Sequence, residues 1–293
     1  MAQISRRDLV LGASGAFAMF GLTKPVAFIG TAHAQLAASG SFKYKVGDIE
    51  VVALYDGVWE KAHDPAFIKN ASLDETKAAL KAGGLTEAHV PITFTVTAVK
   101  TSAGTVLIDS GTGGQAGGPK AGQMMANMAA AGIDPKSVKK VVLSHFHPDH
   151  IFGLMAKDTN AQIFPDAEII APSAEYKFWA DPALPAKLPE ARRPLAERIQ
   201  KTFPAWKNFK PVDGEPEVAP GIRMVATPGH TPGHTSFLVA SGSSQLLVLG
   251  DVSNIPALFV KNPGWHAAFD QDAALAEKSR RAIFDRAVAD KMV

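Results

Sequence analysis

In the stretch VVLSHFHPDHIFGL, Val141 to Leu154, the residues His145, His147, Asp149 and His150 stand within six positions, directly behind an apolar run. The chain has nine histidines in all, so three in one short segment beside a carboxylate call for a chemical reason. In extended backbone, residues i and i+2 project to the same side, which would aim His145 and His147 together. Imidazole and carboxylate are ligands of zinc-type divalent ions, and a catalytic ion keeps one coordination position open for water. TPGHTPGH places His230 and His234 behind a second apolar run, and Asp251 in LLVLGD follows a third. Rigid strands ending at one edge of a sheet would aim all three groups into a shared cleft.

The elements that could hold such groups read as mixed α and β. FKYKVGD and IEVVALYDG form a strand pair around Gly47-Asp48, and ITFTVTAVKTSAGTVLIDSG gives two more strands. SLDETKAALKAGG carries a helix start at Ser72, with Glu75 three residues later and Gly83-Gly84 as its stop. KKVVLS, AEIIAP, GIRMVATPGH, TSFLVASG and SQLLVLGD supply further strands. Helices are expected at AGQMMANMAAAG, near SAEYKFWAD, from Pro189 to Phe203 and from Asp270 to Asp290. GTGGQAGGPK lacks both a Gly-Lys-Ser/Thr ending and a G-x-G-x-x-G pattern, which argues against a nucleotide loop. The methionines that follow it are expected in the core. Strands dominate both halves and each half contains helices, so helix-covered sheets are expected rather than a plain βα alternation.

Residues 1–34 stand apart from this domain. Ser5-Arg6-Arg7-Asp8-Leu9 is a twin-arginine pattern, an uncharged apolar run follows to Leu22, and Ala32-His33-Ala34 reads as a cleavage signal. The run stops at Lys24-Pro25, short of the roughly 20 apolar residues a spanning helix needs. The expectation is a twin-arginine export signal over 1–34, a domain over 35–293, a periplasmic or secreted location, and no stable membrane insertion once the signal is removed. Without Arg6, Arg7, Lys24 and Asp8, the 30 basic and 28 acidic residues balance, so the sequence pI of 8.7 is no argument for nucleic acid as a partner. The absence of cysteine excludes disulfides and every thiolate ligand or nucleophile.

SHFHPDH, then TPGHTPGH, then VLGD, in this order and spacing, resembles the metallo-β-lactamase fold superfamily of hydrolases across essentially the whole chain after residue 34. Within it, the twin-arginine signal, KVGDIEVVALYDG, AEYKFWAD and TPGHTPGHTSFLV are most similar to the methyl parathion hydrolase branch and related lactonases. The resemblance implies an α+β fold, an αββα four-layer sandwich, with two divalent metal ions, zinc first, at one edge of the sheets. It implies that His145, His147 and His230 bind one metal, Asp149 and His150 the other, and Asp251 both. His234 would support the site without being a ligand. Asp109 in LIDSG matches the family's acidic residue beside the site; it would orient ligands or else cap a turn. Phe178 and Trp179 would line an apolar substrate mouth or else fill a helix core, and His266 would stand at the substrate rim.

Two such metals about 3.5–4 Å apart would bring the pKa of a shared water from about 15.7 towards 7. Asp149 would hold or relay a proton. The expected activity is hydrolysis of an ester-like bond by metal-bound hydroxide, the substrate being a small-molecule lactone, aryl ester or organophosphate triester. An iron-dependent, dioxygenase-like redox enzyme on the same fold is the alternative; six intact ligand positions argue against a non-catalytic binding protein. Activity as a β-lactamase fits less well, since those enzymes differ in their second-metal ligands, commonly with a later cysteine. The residues leave oligomeric state open, a homodimer included. In the family, the helix matching Asp270–Asp290 leads to a strand ending in one more histidine. No histidine follows His266 here, so the chain is expected to be truncated at its C-terminus and to hold the first metal better than the second.

Overall fold

A computed structural model describes residues 39–292; the expected export signal over 1–34 lies outside the described residues. Seven strands lie in sequence order in one sheet: β1 (Ser41–Val46), β2 (Ile49–Lys61), β3 (Val90–Thr101), β4 (Gly104–Ile108), β5 (Val138–Val142), β6 (Glu168–Pro172) and β7 (Phe209–Val212). Neighbours are antiparallel from β1 to β4 and parallel from β4 to β7. A four-stranded antiparallel sheet of β8 (Glu217–Ala219), β9 (Ile222–Ala226), β10 (Thr235–Ser241) and β11 (Ser244–Val248) has the order β11-β10-β9-β8. The helices are α1 (Leu73–Ala82), α2 (Met124–Ala130), α3 (Pro148–Ile151), α4 (Ser173–Ala180), α5 (Leu184–Lys187), α6 (Arg193–Thr202), α7 (Pro256–Phe259) and α8 (Ala273–Ala289).

The layers follow from period-two side-chain alternation in strands whose two faces are both covered. Val99, Ile108, Val142 and Ile170 point between the sheets, against Ile222, Met224, Phe237 and Val239. Their neighbours Ala98, Leu107, Val141 and Ile169 point the other way, onto Met124 and Met128 of α2, Trp179 of α4 and Ile199 of α6. Val225 and Leu238 on the outer face of the small sheet pack under Ile283, Phe284 and Ala287 of α8. This is the αββα sandwich expected.

The expected helix at Ser72 is present: Ser72 Oγ accepts from the Glu75 N–H at 3.2 Å and the Glu75 carboxylate accepts from the Ser72 N–H at 2.7 Å. The expected 189–203 helix is shorter, because a 3₁₀ turn over Glu190–Arg192 precedes α6. Two strands were not expected, β7 and β8. Both are short edge strands, and Pro211 and Lys210 in β7 obscure its pattern in the sequence. Among the described residues, no helix is long and apolar enough to cross a membrane.

The parallel strands β4 and β5 end at the same edge of the large sheet, and the chain leaves them through Asp109 and through Ser144–His150 respectively. The turn between β9 and β10 carries His230 and His234, and the 3₁₀ turn after β11 carries Asp251. Four strand ends therefore meet at one site, at the carboxyl edge where open sheets of this kind place ligands.

Candidate metal centre

Three imidazole nitrogens converge. His145 Nε2 lies 3.0 Å from His147 Nδ1, which lies 3.0 Å from His230 Nε2. Asp251 Oδ2 stands 3.2 Å from His230 Nε2 and 4.0 Å from His145 Nε2. These four residues form one group of possible metal ligands; Asp149, His150 and Asp251 form the other. His150 Nε2 faces Asp149 Oδ2 at 3.3 Å and Asp251 Oδ1 at 3.4 Å. Asp251 thus presents one oxygen to each group.

The bonds on the far sides of the rings assign the tautomers. Ser144 Oγ donates to Asp109 Oδ2 at 2.8 Å, so it accepts from His145 Nδ1–H at 2.9 Å. His230 Nδ1–H donates to Asp270 Oδ1 at 3.0 Å, and His150 Nδ1–H to Asp109 Oδ2 at 2.8 Å. In each ring, when neutral, the inward nitrogen is left with its lone pair. Lone pairs 3.0 Å apart repel unless a proton or a cation lies among them. His150 Nε2 is also buried without a hydrogen-bond partner. A divalent cation in each group satisfies both conditions, and the residues fit it.

Asp109 joins β4 to β5 at this edge. It has φ +62°, a conformation that aspartate tolerates better than most residues, and its Oδ1 accepts from the Ser144 N–H at 2.7 Å. Of its two expected roles, the geometry shows the orienting one. His234 belongs to neither group. Its Nε2 accepts from the Asp251 N–H at 2.9 Å, so its Nδ1–H is turned to Thr227, with Oγ1 at 2.9 Å. Burial, then the facing His230, push its pKa down to about 3, which keeps the ring neutral and able to accept.

Charges across the site are opposed and complementary. Burial and the neighbouring His150 and His147 hold His145 well below the usual imidazole range, while burial and His230 do so for His147. Burial also disfavours the charged form of His230, but Asp251 and Asp270 outweigh it and raise its pKa to about 9. Burial opposes ionisation of Asp251, yet His150 and His230 hold its carboxyl well below the ordinary range. The carboxylates thus call for positive charge among the rings, which a proton or a metal ion can supply.

Of the two expected roles for the aromatic pair, the packing favours the helix core. Trp179 is 1% exposed, its indole N–H donates to Glu175 Oε1 at 2.7 Å, and its ring meets His147 edge-on at 6.3 Å between centroids. It forms the wall behind a ligand rather than a mouth, because α4 turns it inward onto the core of the large sheet. Phe178 is partly buried against the same core. His266 is also placed away from the clusters: its Nε2 is 2.8 Å from Glu277 Oε2, and its N–H donates to Asn70. The sequence reading missed Asp270, Ser144, Thr227, Glu175 and Arg280. Asp270 was read as the start of the last helix, but Asp272 caps that helix, which leaves Asp270 free to turn to His230.

Fold and site together define an αββα sandwich with two clusters of metal-type ligands sharing one carboxylate at the sheet edge. Residues 95–290 match the model of the Metallo-beta-lactamase superfamily, and the chain belongs to that superfamily. An N-acyl homoserine lactonase from Bacillus sp is 30% identical over 149 residues, 51% of this chain and 52% of that protein. The chain matches about half the length of that curated relative. Among solved structures, AidC, a dizinc quorum-quenching lactonase in complex with a product, superposes with a TM-score of 0.77 at 26% identity, over 85% of this chain and 86% of its own. The hydrolase AbOPH, of the beta lactamase superfamily, superposes with a TM-score of 0.74 at 27% identity, over 85% and 86%.

Proposed function

We propose that this chain is a binuclear metal-dependent hydrolase that opens the ring of small-molecule lactones, N-acyl homoserine lactones first among them. The observation that carries this reading is the pair of ligand groups joined by Asp251, whose two oxygens face His230 at 3.2 Å and His150 at 3.4 Å. The substrate class is supported by the similarity to the Bacillus lactonase and to AidC. Two divalent ions held there, zinc foremost, would polarise the substrate carbonyl and acidify a water shared between them.

The chain's own groups do the rest. His145 and His230 turn one nitrogen inward, fixed by Ser144 and Asp270, and His147 Nδ1 stands 3.0 Å from each, so the site is organised before substrate arrives. Asp251 holds the two groups at a fixed separation. Asp149 is the most open of the three carboxylates beside His150, with its side chain 24% exposed against 15% for Asp251 and 8% for Asp109. It takes the proton of the attacking water and returns it to the alkoxide that leaves when the ring C–O bond breaks, so one water and one lactone give one hydroxy acid. The leader over 1–34 would deliver the folded, metal-loaded chain to the periplasm.

A panel of N-hexanoyl homoserine lactone, an aryl ester, a phosphotriester and a β-lactam, assayed with metal content measured on the same sample, tests the proposal. Lactone turnover that is lost on chelation and restored by zinc is expected. Turnover of the phosphotriester alone, or oxygen uptake by an iron-loaded chain, would overturn it in favour of those activities.

A further inference from the structure

Glu175 is fully buried in the first turn of α4 and belongs to neither ligand group. Its two oxygens reach different parts of the site. Oε1 accepts from the Phe146 N–H at 3.0 Å and from the Trp179 indole at 2.7 Å, and Oε2 accepts from the Gly233 N–H at 2.9 Å. Phe146 lies between His145 and His147, while Gly233 lies in the turn that joins His230 to His234. One carboxylate therefore ties together the two loops that carry the three imidazoles of the first group.

The packing gives a second, independent observation. The Gly233 turn is pressed onto α4 so closely that a Cβ on Gly233 would fall 2.0 Å from the Glu175 nitrogen. Glycine at this position lets the His230 loop come within reach of the carboxylate. The indole held by Glu175 also backs the His147 ring. The chemistry of the acceptor is specific, since three N–H groups donate to its two oxygens. Only a carboxylate accepts at both ends; an amide would turn its NH₂ towards a donor on one side. Burying a carboxylate is costly, and a residue whose task was only to fill space would be apolar.

We infer that Glu175 is a positioning residue that fixes the separation between the His145/His147 loop and the His230 loop, and so sets the affinity of the first metal group. The inference rests on the metal-dependent reading of the site. Groups that support metal ligands from behind typically change affinity by about 10- to 100-fold when altered.

The test uses the parent chain, Glu175→Gln and Glu175→Asp, each stripped of metal and titrated with Zn²⁺ against a chromophoric chelator. Cobalt-substituted spectra and metal-free melting are recorded alongside. For Glu175→Gln, the expected result is a folded metal-free chain, a first-zinc Kd weakened at least about tenfold, and shifted cobalt d–d bands. Glu175→Asp keeps the charge on a side chain one methylene shorter and should fall between. A lowered melting temperature with parent-like Kd and cobalt spectrum would make Glu175 a simple strut and overturn the inference. Should Glu175→Gln not fold, Glu175→Asp decides: a Kd weakened threefold or more supports the role, and a parent-like Kd overturns it. A parent chain that takes up no zinc overturns the metal-dependent reading, and this inference with it.

Discussion

His230 and His234 share one turn, are both buried and both meet Asp251, yet they face opposite sides of it: His230 Nε2 meets the carboxylate, while His234 Nε2 accepts from the backbone N–H. We therefore expect His230→Ala to lose the first metal and nearly all hydrolysis, as should His145→Ala and His147→Ala. His234→Ala should keep most of its metal and lose rate through a misplaced Asp251; metal analysis of the purified variants separates the two, and equal loss in both would reverse the assignment. Asp270→Asn leaves His230 without its charged acceptor and should weaken zinc binding by about 10- to 100-fold. The pH dependence follows from His230. Its folded pKa, raised to about 9 by Asp251 and Asp270 against the opposing effect of burial, exceeds the unfolded value of about 6.5. Its proton therefore stabilises the metal-free fold fully below about 6.5, a contribution lost as pH rises through 9. Zinc needs the nitrogen deprotonated, so its affinity should move the opposite way, tightening by up to about tenfold per pH unit over that window. Melting of the metal-free chain and zinc titration at pH 6.5 and 9 check both signs. Metal affinities that are flat across this range would contradict the assignment. Zinc should also enter in two steps, the first tighter, because the first group has four ligands and the second three.

At the scale of elements, the site depends on loops that touch. Gly153, just past α3, sits where a Cβ would come 1.8 Å from the carbonyl oxygen of Ser110, and its N–H donates to Gly111 O. Ser110 in turn holds the His150 carbonyl through both its N–H and its Oγ. We expect Gly153→Ala to push the turn bearing His150 away from Asp109, lowering stability by about 1–3 kcal/mol and weakening the second zinc site more than the first. Denaturant unfolding and stepwise zinc titration read these two effects, and parent-like second-site affinity would show that the contact between these loops does not position His150. The spacing of the histidines was legible in the sequence because i and i+2 in extended chain share a side, and the strand ends were legible from apolar runs. The support behind each ring was not: Asp270 lies 40 positions from His230, and Glu175 is 58 from Gly233.

Across the whole molecule, α8 closes the small sheet and reaches back to the site. Arg280 is buried; it donates to the carbonyl oxygens of Val252 at 2.7 Å, and of Pro263 and Trp265 at 2.8 Å, and meets Asp270 at 3.3 Å. Arg280→Ala leaves Asp270 buried without its cation, and should cost about 3–5 kcal/mol in urea unfolding of the metal-free chain, with weaker zinc binding through His230. A smaller loss, within about 1 kcal/mol, would mean that Asp270 is held by His230 alone. The first group of possible ligands draws on loops of both sheets, so zinc bound there should also act as a clasp. At a free concentration 1,000 times its Kd, it should add about 4 kcal/mol to unfolding, visible as a lower melting temperature after chelation.

The sequence by itself picked out the ligand-type residues and nine of the eleven strands, because both are local properties: ligand type, short spacing and alternation of apolar side chains. Its strand and helix pattern also pointed to sheets covered by helices, while the four-layer order came with the family resemblance. Tertiary structure alone decided the roles. Whether His234 faces a metal or a backbone N–H, whether Trp179 lines a mouth or backs a ligand, and which carboxylate orients which ring all depend on where distant segments meet, and no local pattern encodes that. Asp270, Glu175 and Arg280 read as ordinary helix-associated charges along the chain. Folding buries them, and a buried charge must find partners, so each is drawn into the network that holds the site.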